Sequence, residues 1–309
     1  MLVKRTMFVC FISVFFFSAI SSALPSYRRL WEKKYGYATS CTLCHSKGGG
    51  SQANSYGSDF QRFGMTVAAF GAIEKRDSDK DGSLNIDEIK AKSNPGDFLS
   101  TPQKPTEWLG KIEESMLPTA ELKKIFPAAL KFSTLEGTLL PDQIAQVEKD
   151  SNKKLTAEDS VPTFYFAVKD QEGKAVRVGV ALFATPNINP EKLIVGIGVD
   201  LAGKIQNVIL IKNKLNKSLD DRKFLDQFKD KTADSSLKLN SDIQPQSKSL
   251  AAESDLVIEA VKKTLLIMRV VFNKDKKTLS KGTGYEYVVF KESCSSFKCS
   301  VDKFIGNRP

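Results

Sequence analysis

The distribution of hydrophobic residues divides the chain into stretches of different character. Residues 1–23 contain one continuous apolar run, Met7 to Ile20, that follows two basic residues. Residues 24–94 contain short segments with helical spacing, whereas residues 119–309 contain alternating segments typical of strands. Between these two parts, residues 95–118 carry four prolines, a composition typical of turns and linkers. The pattern therefore predicts a multidomain protein with two folded units joined by a linker.

The second unit alternates predicted strands with predicted helices. Two pairs of strands each surround a glycine-containing turn: Phe164–Val168 with Val176–Phe183, and Leu193–Val199 with Ile205–Ile211. Helical segments are predicted at Leu140–Asp150, Arg222–Phe228 and Ser254–Met268. This mixture predicts an α+β domain built around a twisted antiparallel sheet.

The first unit is expected to be small and all-α. Its clearest periodic segment runs from Phe60 to Glu74, where Phe60, Phe63, Val67 and Phe70 recur at helical spacing. We expect these four side chains to form the buried stripe of a single helix.

The first 23 residues are typical of a secretion signal. The apolar run is 14 residues long, shorter than the roughly 20 residues that span a bilayer, and small residues follow it at 21–23. The alternative is an uncleaved membrane anchor. We expect an exported, periplasmic protein with no stable membrane span after the signal is removed.

Charge and cysteine content agree with an exported protein. The formal net charge is +10, from 46 basic and 36 acidic residues, without the interleaved aromatic residues of a nucleic-acid surface. This favours acidic protein partners or anionic surfaces and gives no indication of nucleic-acid binding. In an oxidising compartment, Cys294 and Cys299 are expected to form a disulfide, the alternative being two free thiols.

The segment Cys41-Thr42-Leu43-Cys44-His45 carries the strongest chemical signal. Two cysteines three residues apart can form thioethers to the two vinyl groups of one haem, and the adjacent histidine can then bind the iron. A redox-active dithiol would need a preceding thioredoxin-like strand, which the pattern does not predict. A zinc site would need two further ligands, and His45 is the single histidine of the chain.

The sixth iron ligand is less defined by the sequence. Met65 lies in the predicted helix beside its apolar stripe, which makes it the first candidate; Met116, another residue type or an open position are the alternatives. A methionine ligand raises the reduction potential and suits electron transfer, whereas an open position allows ligand binding or peroxide chemistry.

Residues 77–88 have the spacing of an EF-hand calcium loop. Aspartates occupy positions 1, 3 and 5, and a glycine occupies position 6. A serine at position 7 can offer its backbone carbonyl, an asparagine occupies position 9 and a glutamate occupies position 12. The candidate calcium ligands are thus Asp77, Asp79, Asp81, Ser83, Asn85 and Glu88. The alternative is a solvated acidic turn. A single loop favours a structural role over a sensory one.

These elements together resemble a family of small bacterial exported cytochrome c domains. The similarity covers Tyr35 to Asp97 and includes the haem motif, the segment Asn54–Phe60, the acidic loop and the ending Pro95-Gly96-Asp97. The resemblance implies electron transfer through one covalently bound haem, with calcium as a structural ion.

Residues from about 120 to 270 resemble a flavin-mononucleotide-binding domain of exported and respiratory flavoproteins. In that family a hydroxyl side chain carries the flavin through a phosphoester. Here Ser247 matches the start of the attachment motif, but Lys248 replaces its glycine, and Ala252 or Glu253 stands where the hydroxyl should be. We therefore do not expect FMN as a cofactor, and we expect the domain to pack against the cytochrome or to dock a partner.

The sequence favours an electron carrier over an enzyme. The remaining candidates are a haem- or flavin-dependent redox enzyme and a haem-based sensor or binding module. No residue pattern indicates a general acid or base, which argues against hydrolase or transferase chemistry.

Overall fold

The structure, a computed structural model, describes residues 26–47, 51–109, 118–190 and 192–272. The predicted signal segment, Met116 and the Cys294–Cys299 pair lie outside the described residues. Among those described, no helix has the length and apolar character needed to cross a membrane.

The described chain is α+β, with helices and one five-stranded antiparallel sheet. The strands are β1 (Lys131–Glu136), β2 (Thr163–Gln171), β3 (Lys174–Ala184), β4 (Leu193–Asp200) and β5 (Ile205–Asn213). They lie in sequence order, each paired with the next. Both predicted hairpins and the antiparallel sheet are confirmed; β1 was not predicted.

Helices cover both faces of the sheet. They are α5 (Thr119–Ile125), α6 (Pro141–Ser151), α7 (Arg222–Leu225) and α8 (Ala251–Phe272). Because side chains alternate along a strand, Phe164 and Phe166 face the core under α6 and α8, whereas Tyr165 faces the core under α5. The helix predicted over Arg222–Phe228 is shorter than expected, since residues 226–228 continue it as a 3-10 turn.

Helix α5 approaches the sheet closely because glycine lines its contact. A Cβ built on Gly198 would lie 2.1 Å from Cγ2 of Ile125, and one on Gly179 would lie 2.7 Å from Cε1 of Phe126. The absence of side chains at these strand positions therefore sets the distance between α5 and the sheet.

Residues 26–109 form the helices α1 (Ser26–Tyr35), α2 (Ser55–Arg62), α3 (Val67–Ala72) and α4 (Asn85–Ala91). Their core is aromatic, with Trp31, Tyr56 and Phe70 fully buried. Trp108 also packs into this core, and its indole N–H donates to the carbonyl of Lys92. Packed structure therefore extends into the segment that was interpreted as a linker from residue 95.

The single helix predicted from Phe60 to Glu74 is wrong. The chain leaves the helical conformation at Gly64 (φ +97°) and Met65 (φ +55°), and Thr66 caps a new helix by accepting from the Ala69 amide. Phe60 and Phe70 are buried on the two sides of the break, whereas Phe63, the C-cap residue of α2, is 41% exposed instead of buried. The physical reason is that a left-handed pair of residues reverses the local path and Thr66 supplies an N-cap.

The helical part contacts the sheet through α1. Arg28 and Arg29 form ion pairs of 3.1 Å with the two carboxylate oxygens of Glu136 on β1. Arg29 also donates to the carbonyls of Val161 and Pro162 and to the hydroxyl of Thr163. Because Val161 belongs to the aromatic core around Trp31, the two parts share side-chain packing as well as charge.

A buried ion pair yields a stability prediction for the sheet part. Nζ of Lys263 on α8 lies 2.8 Å from Asp159, with 3% and 7% of the two side chains exposed. Asp159→Ala would leave the ammonium buried without its partner, so we expect a loss of about 3–5 kcal/mol in the free energy of unfolding. Denaturant unfolding of the variant and the wild type measures this difference in the free energy of unfolding.

The double variant Asp159→Leu/Lys263→Met is expected to recover most of this loss, because no charge then remains buried. Lys154→Ala is the surface control: its ion pair with Glu148 leaves the lysine side chain 87% exposed, and the unfolding midpoint should hardly move. A loss as large for Lys154→Ala as for Asp159→Ala would contradict the interpretation.

A clamped cysteine turn beside an acidic loop

The two cysteines and the histidine lie on one short turn. Cys41–Leu43 form a 3-10 helix that Ser40 caps, and the amides of Cys44 and His45 both donate to the carbonyl of Cys41, at 3.2 and 3.0 Å. This places the two thiols one turn apart, and they are not joined in a disulfide. Burial raises the pKa of the Cys44 thiol to about 12, with the neighbouring Cys41 adding to the shift.

The imidazole of His45 is held in one tautomer. Its Nδ1 lies 2.6 Å from the carbonyl oxygen of Ser51. Because a carbonyl only accepts hydrogen bonds, Nδ1 must carry the proton, which leaves the lone pair of Nε2 available to a metal. A ligating histidine is commonly oriented in this way, by donating its other N–H to a backbone carbonyl.

Two asparagines converge on the carbonyl of Thr42, between the two cysteines. Nδ2 of Asn54 donates to Thr42 at 2.9 Å and to Leu43 at 3.0 Å, and Nδ2 of Asn94 donates to Thr42 at 3.3 Å. The backbone amide of Asn54 also donates to the carbonyl of Cys44 at 3.0 Å. The peptide groups of the turn are therefore held from two directions by residues distant in sequence.

Close packing reinforces this clamp. A Cβ on Gly57 would lie 2.1 Å from the Cys44 carbonyl oxygen, and a Cβ on Gly96 would lie 2.3 Å from Nδ2 of Asn54. Asn54 caps α2 by accepting from the Gly57 amide. The segments Asn54–Phe60 and 95–97, which the sequence singled out as motifs, are thus the structural supports of the cysteine turn.

Met65 packs against the same aromatic core as Leu43 and Cys44. Its left-handed backbone is unusual for a residue with a long side chain and costs roughly 1–2 kcal/mol. Strained residues of this kind are concentrated at functional sites. The structure thus brings Met65 into the core that holds the cysteine turn.

The acidic loop folds around its own backbone amides. Asp77 accepts from the amides of Lys80 and Gly82, Asp79 accepts from Asp81, and Asp81 accepts from Ser83. One carboxylate oxygen of each aspartate lies within 4.8 Å of the others. The turn uses a left-handed Gly82 (φ +95°) at the position expected for it.

Several oxygens of this loop are buried without a hydrogen-bond partner. They are both carboxylate oxygens of Glu88 and the Oδ2 atoms of Asp79 and Asp81. Glu88 is fully buried at 0% exposure. Burial raises its pKa to about 9, with the charges of Asp79, Asp81 and Asp77 adding to the shift, and burial raises the pKa of Asp79 to about 6. This arrangement suits a hard cation, which prefers carboxylate oxygens and would compensate their charge.

Asn85 has a different role from the one expected. Its amide nitrogen donates to the carbonyl of Ile73 and the hydroxyl of Ser78, both at 2.8 Å, and its oxygen accepts from the Ser78 amide at 3.1 Å. Because α4 begins at Asn85, its side chain turns into the interior and anchors the loop. Calcium ligation by this side chain stays a prediction, and in the structure its amide is engaged with Ile73 and Ser78 instead.

Cys41, Cys44 and His45 do not gather around one point. Among the described residues, the aspartates 77, 79 and 81 form the one group of three or more His, Cys, Asp or Glu ligand atoms within 4.8 Å of one another. A tetrahedral zinc site would need such convergence. A haem would not need this convergence of ligand atoms, because its vinyl groups lie at the rim of the macrocycle and its iron lies at the centre.

In the segment that was compared with a flavin-attachment motif, Ala252 is the second residue of α8, and Ser247 precedes a 3-10 turn at Lys248–Leu250. The hydroxyls of Ser247 and Ser249 contact each other at 2.9 Å. A methyl group at Ala252 cannot form a phosphoester, so this position offers no attachment chemistry.

Comparison of the chain with protein-family models, curated proteins and solved structures finds no match.

Gly57 provides a direct test of the clamp. Gly57→Ala would place a methyl group against the backbone of Cys44, so α2 must move away from the turn, and we expect a loss of about 1–3 kcal/mol in the free energy of unfolding. Gly71→Ala in α3 is the matched control, because its Cβ would meet only Nζ of Lys34 at 3.6 Å. It should stabilise the protein by about 0.5–1 kcal/mol. Equal effects of the two substitutions in denaturant unfolding would contradict this packing.

Proposed function

We propose that the protein is an exported c-type cytochrome that transfers electrons through one covalently bound haem. The observation that carries the proposal is the turn at residues 41–45, where Cys41 and Cys44 precede a histidine whose tautomer the Ser51 carbonyl defines. When bound, haem supplies an iron that cycles between the ferrous and ferric states.

The residues of the turn have separate roles in this proposal. Cys41 and Cys44 would hold the macrocycle through thioethers, and Nε2 of His45 would bind the iron. The hydrogen bond from Nδ1 to Ser51 orients the ring and increases the electron donation of Nε2. Asn54 and Asn94 hold the backbone of the turn through the Thr42 carbonyl.

Met65 is the proposed ligand on the opposite side of the iron. Two features support it: the side chain lies in the core that includes Cys44, and its backbone is held in a strained conformation. A thioether ligand would favour electron transfer over the binding of external ligands.

Calcium is the proposed ion of the acidic loop. The donor set is three aspartates, the Ser83 carbonyl and the buried Glu88, all oxygen ligands of the kind that calcium prefers. The unpartnered oxygens of Glu88, Asp79 and Asp81 support this choice. With Asn85 turned inward, position 9 would be supplied by water, as is frequent in such loops.

Export is part of the same proposal, because covalent haem attachment and the expected signal at residues 1–23 imply a periplasmic location. A net charge of +10 favours a redox partner with an acidic docking surface. The sheet part would serve as a support or docking module, with no flavin of its own.

The haem prediction is tested on mature protein from a host that assembles c-type cytochromes. We expect the intact mass to exceed that of the polypeptide by one haem, and we expect a low-spin absorption spectrum. Cys41→Ala/Cys44→Ala should abolish the added mass because no sulfur remains to form a thioether. Cys294→Ala/Cys299→Ala removes the same number of sulfurs elsewhere and should keep the haem.

A colourless mature protein with only its amino-acid mass would exclude the cytochrome. A high-spin ferric spectrum, or a spectral change when carbon monoxide is added to the reduced protein, would instead favour the redox-enzyme or sensor alternatives.

The calcium prediction concerns Glu88. Glu88→Gln removes a buried ligand charge, so we expect calcium affinity to fall by roughly 10–100-fold or more in isothermal titration calorimetry. Asp87→Asn is the matched control, since it removes one carboxylate charge at the exposed neighbouring position. If both variants lose the same affinity, the loop attracts calcium only through its overall charge.

A further inference from the structure

The acidic loop is connected to the cysteine turn through its first flank. Ser78, the second residue of the loop, donates its hydroxyl to Oδ2 of Asp59 at 2.9 Å and accepts from Nδ2 of Asn85 at 2.8 Å. Asp59 is buried on α2 and is also paired with Arg76 at 2.8 Å. Since Asn54 caps α2 and holds the turn, this network links the loop to Thr42.

A second connection runs through the exit helix. The Ser93 amide donates to the carbonyl of Glu88 at 2.9 Å, and the Ser93 hydroxyl donates to it at 3.3 Å. Asn94 follows directly and donates to the Thr42 carbonyl. Ser93 and Asn94 are both buried.

The two connections meet at one atom. Asn54 comes from the helix that precedes the loop and Asn94 from the segment that follows it, and both donate to the carbonyl oxygen of Thr42. Any change in the separation of the two flanks therefore changes the geometry of the turn. A cation bound by Asp77, Asp79, Asp81 and Glu88 would bridge those flanks, because Asp77 starts the loop and Glu88 lies on α4.

We propose that Ser78 and Asp59 are positioning residues that couple calcium occupancy of the loop to the geometry of the haem-attachment turn. This inference rests on the proposed cytochrome function and adds a regulatory property to it. By linkage, if calcium binding changes the reduction potential of the haem, then the redox state of the haem must change calcium affinity by the corresponding factor.

The test compares calcium affinity in the ferrous and ferric forms of the holoprotein. We expect binding at least threefold tighter in the ferrous form: its smaller positive charge accounts for less than twofold, and the network through Ser78 and Asp59 accounts for the rest. For a one-electron couple, where tenfold corresponds to 59 mV, this ratio raises the reduction potential by about 28 mV when calcium is saturating.

Ser78→Ala separates coupling from simple charge repulsion. It removes the link to Asp59 without altering any charge, so we expect the ferrous-to-ferric ratio to fall below twofold. Ser58→Ala is the matched control, because Ser58 lies exposed on α2 next to Asp59. This variant should keep the wild-type ratio. A ratio that Ser78→Ala leaves unchanged would mean that charge alone acts, which overturns the proposal.

A second measurement needs no variant. Amide hydrogen exchange of residues 42–45 in the holoprotein should slow at least about tenfold when calcium is added, because the flanks then hold the turn more firmly. Identical exchange with and without calcium would overturn the coupling while leaving the cytochrome intact. Failure of the cytochrome proposal itself would be recognised separately, by the absence of haem mass.

Discussion

The backbone of the turn that carries Cys41, Cys44 and His45 is held in place at the Thr42 carbonyl. Its two hydrogen bonds come from Asn54 and Asn94, which are 12 and 52 residues away in sequence. Each such bond contributes only about 1 kcal/mol net. These bonds matter for geometry more than for stability, because they connect the turn to α2 and to the segment after α4.

The sheet could be predicted because its signals are local. Alternating apolar residues and the left-handed glycines Gly173 and Gly203 mark both hairpins, and the structure has them at nearly the predicted bounds. The prediction of one continuous helix over residues 60–74 failed because the apolar spacing continues across the break. The only local signal of the break is Gly64 followed by the N-cap Thr66. The short edge strand β1 has too few alternating positions to be recognised.

The spacing of residues in the sequence predicts the members of the candidate site, whereas it does not predict the contacts that support them. Cysteines at 41 and 44 beside His45, and acidic residues at loop positions 1, 3 and 5, follow from the sequence alone. The bond from His45 to Ser51 and the approach of Gly57 to Cys44 depend on tertiary packing, which no local pattern reports. Asn85 illustrates the limit: its position matches a ligand, but the start of α4 directs its amide to Ser78.

The buried carboxylates of the described chain give an independent argument for a cation in the loop. Asp159 is neutralised by Lys263, and Asp59 by Arg76 together with the Ser78 hydroxyl. Glu88 is buried more completely than either, yet no hydrogen-bond donor or cationic side chain of the described residues contacts its carboxylate oxygens. Because an unpaired buried charge costs several kcal/mol, a fold that compensates the other two would be expected to compensate this one. The charged groups that raise its pKa are Asp79, Asp81 and Asp77, so the described residues supply no compensating charge, and a bound cation would supply it.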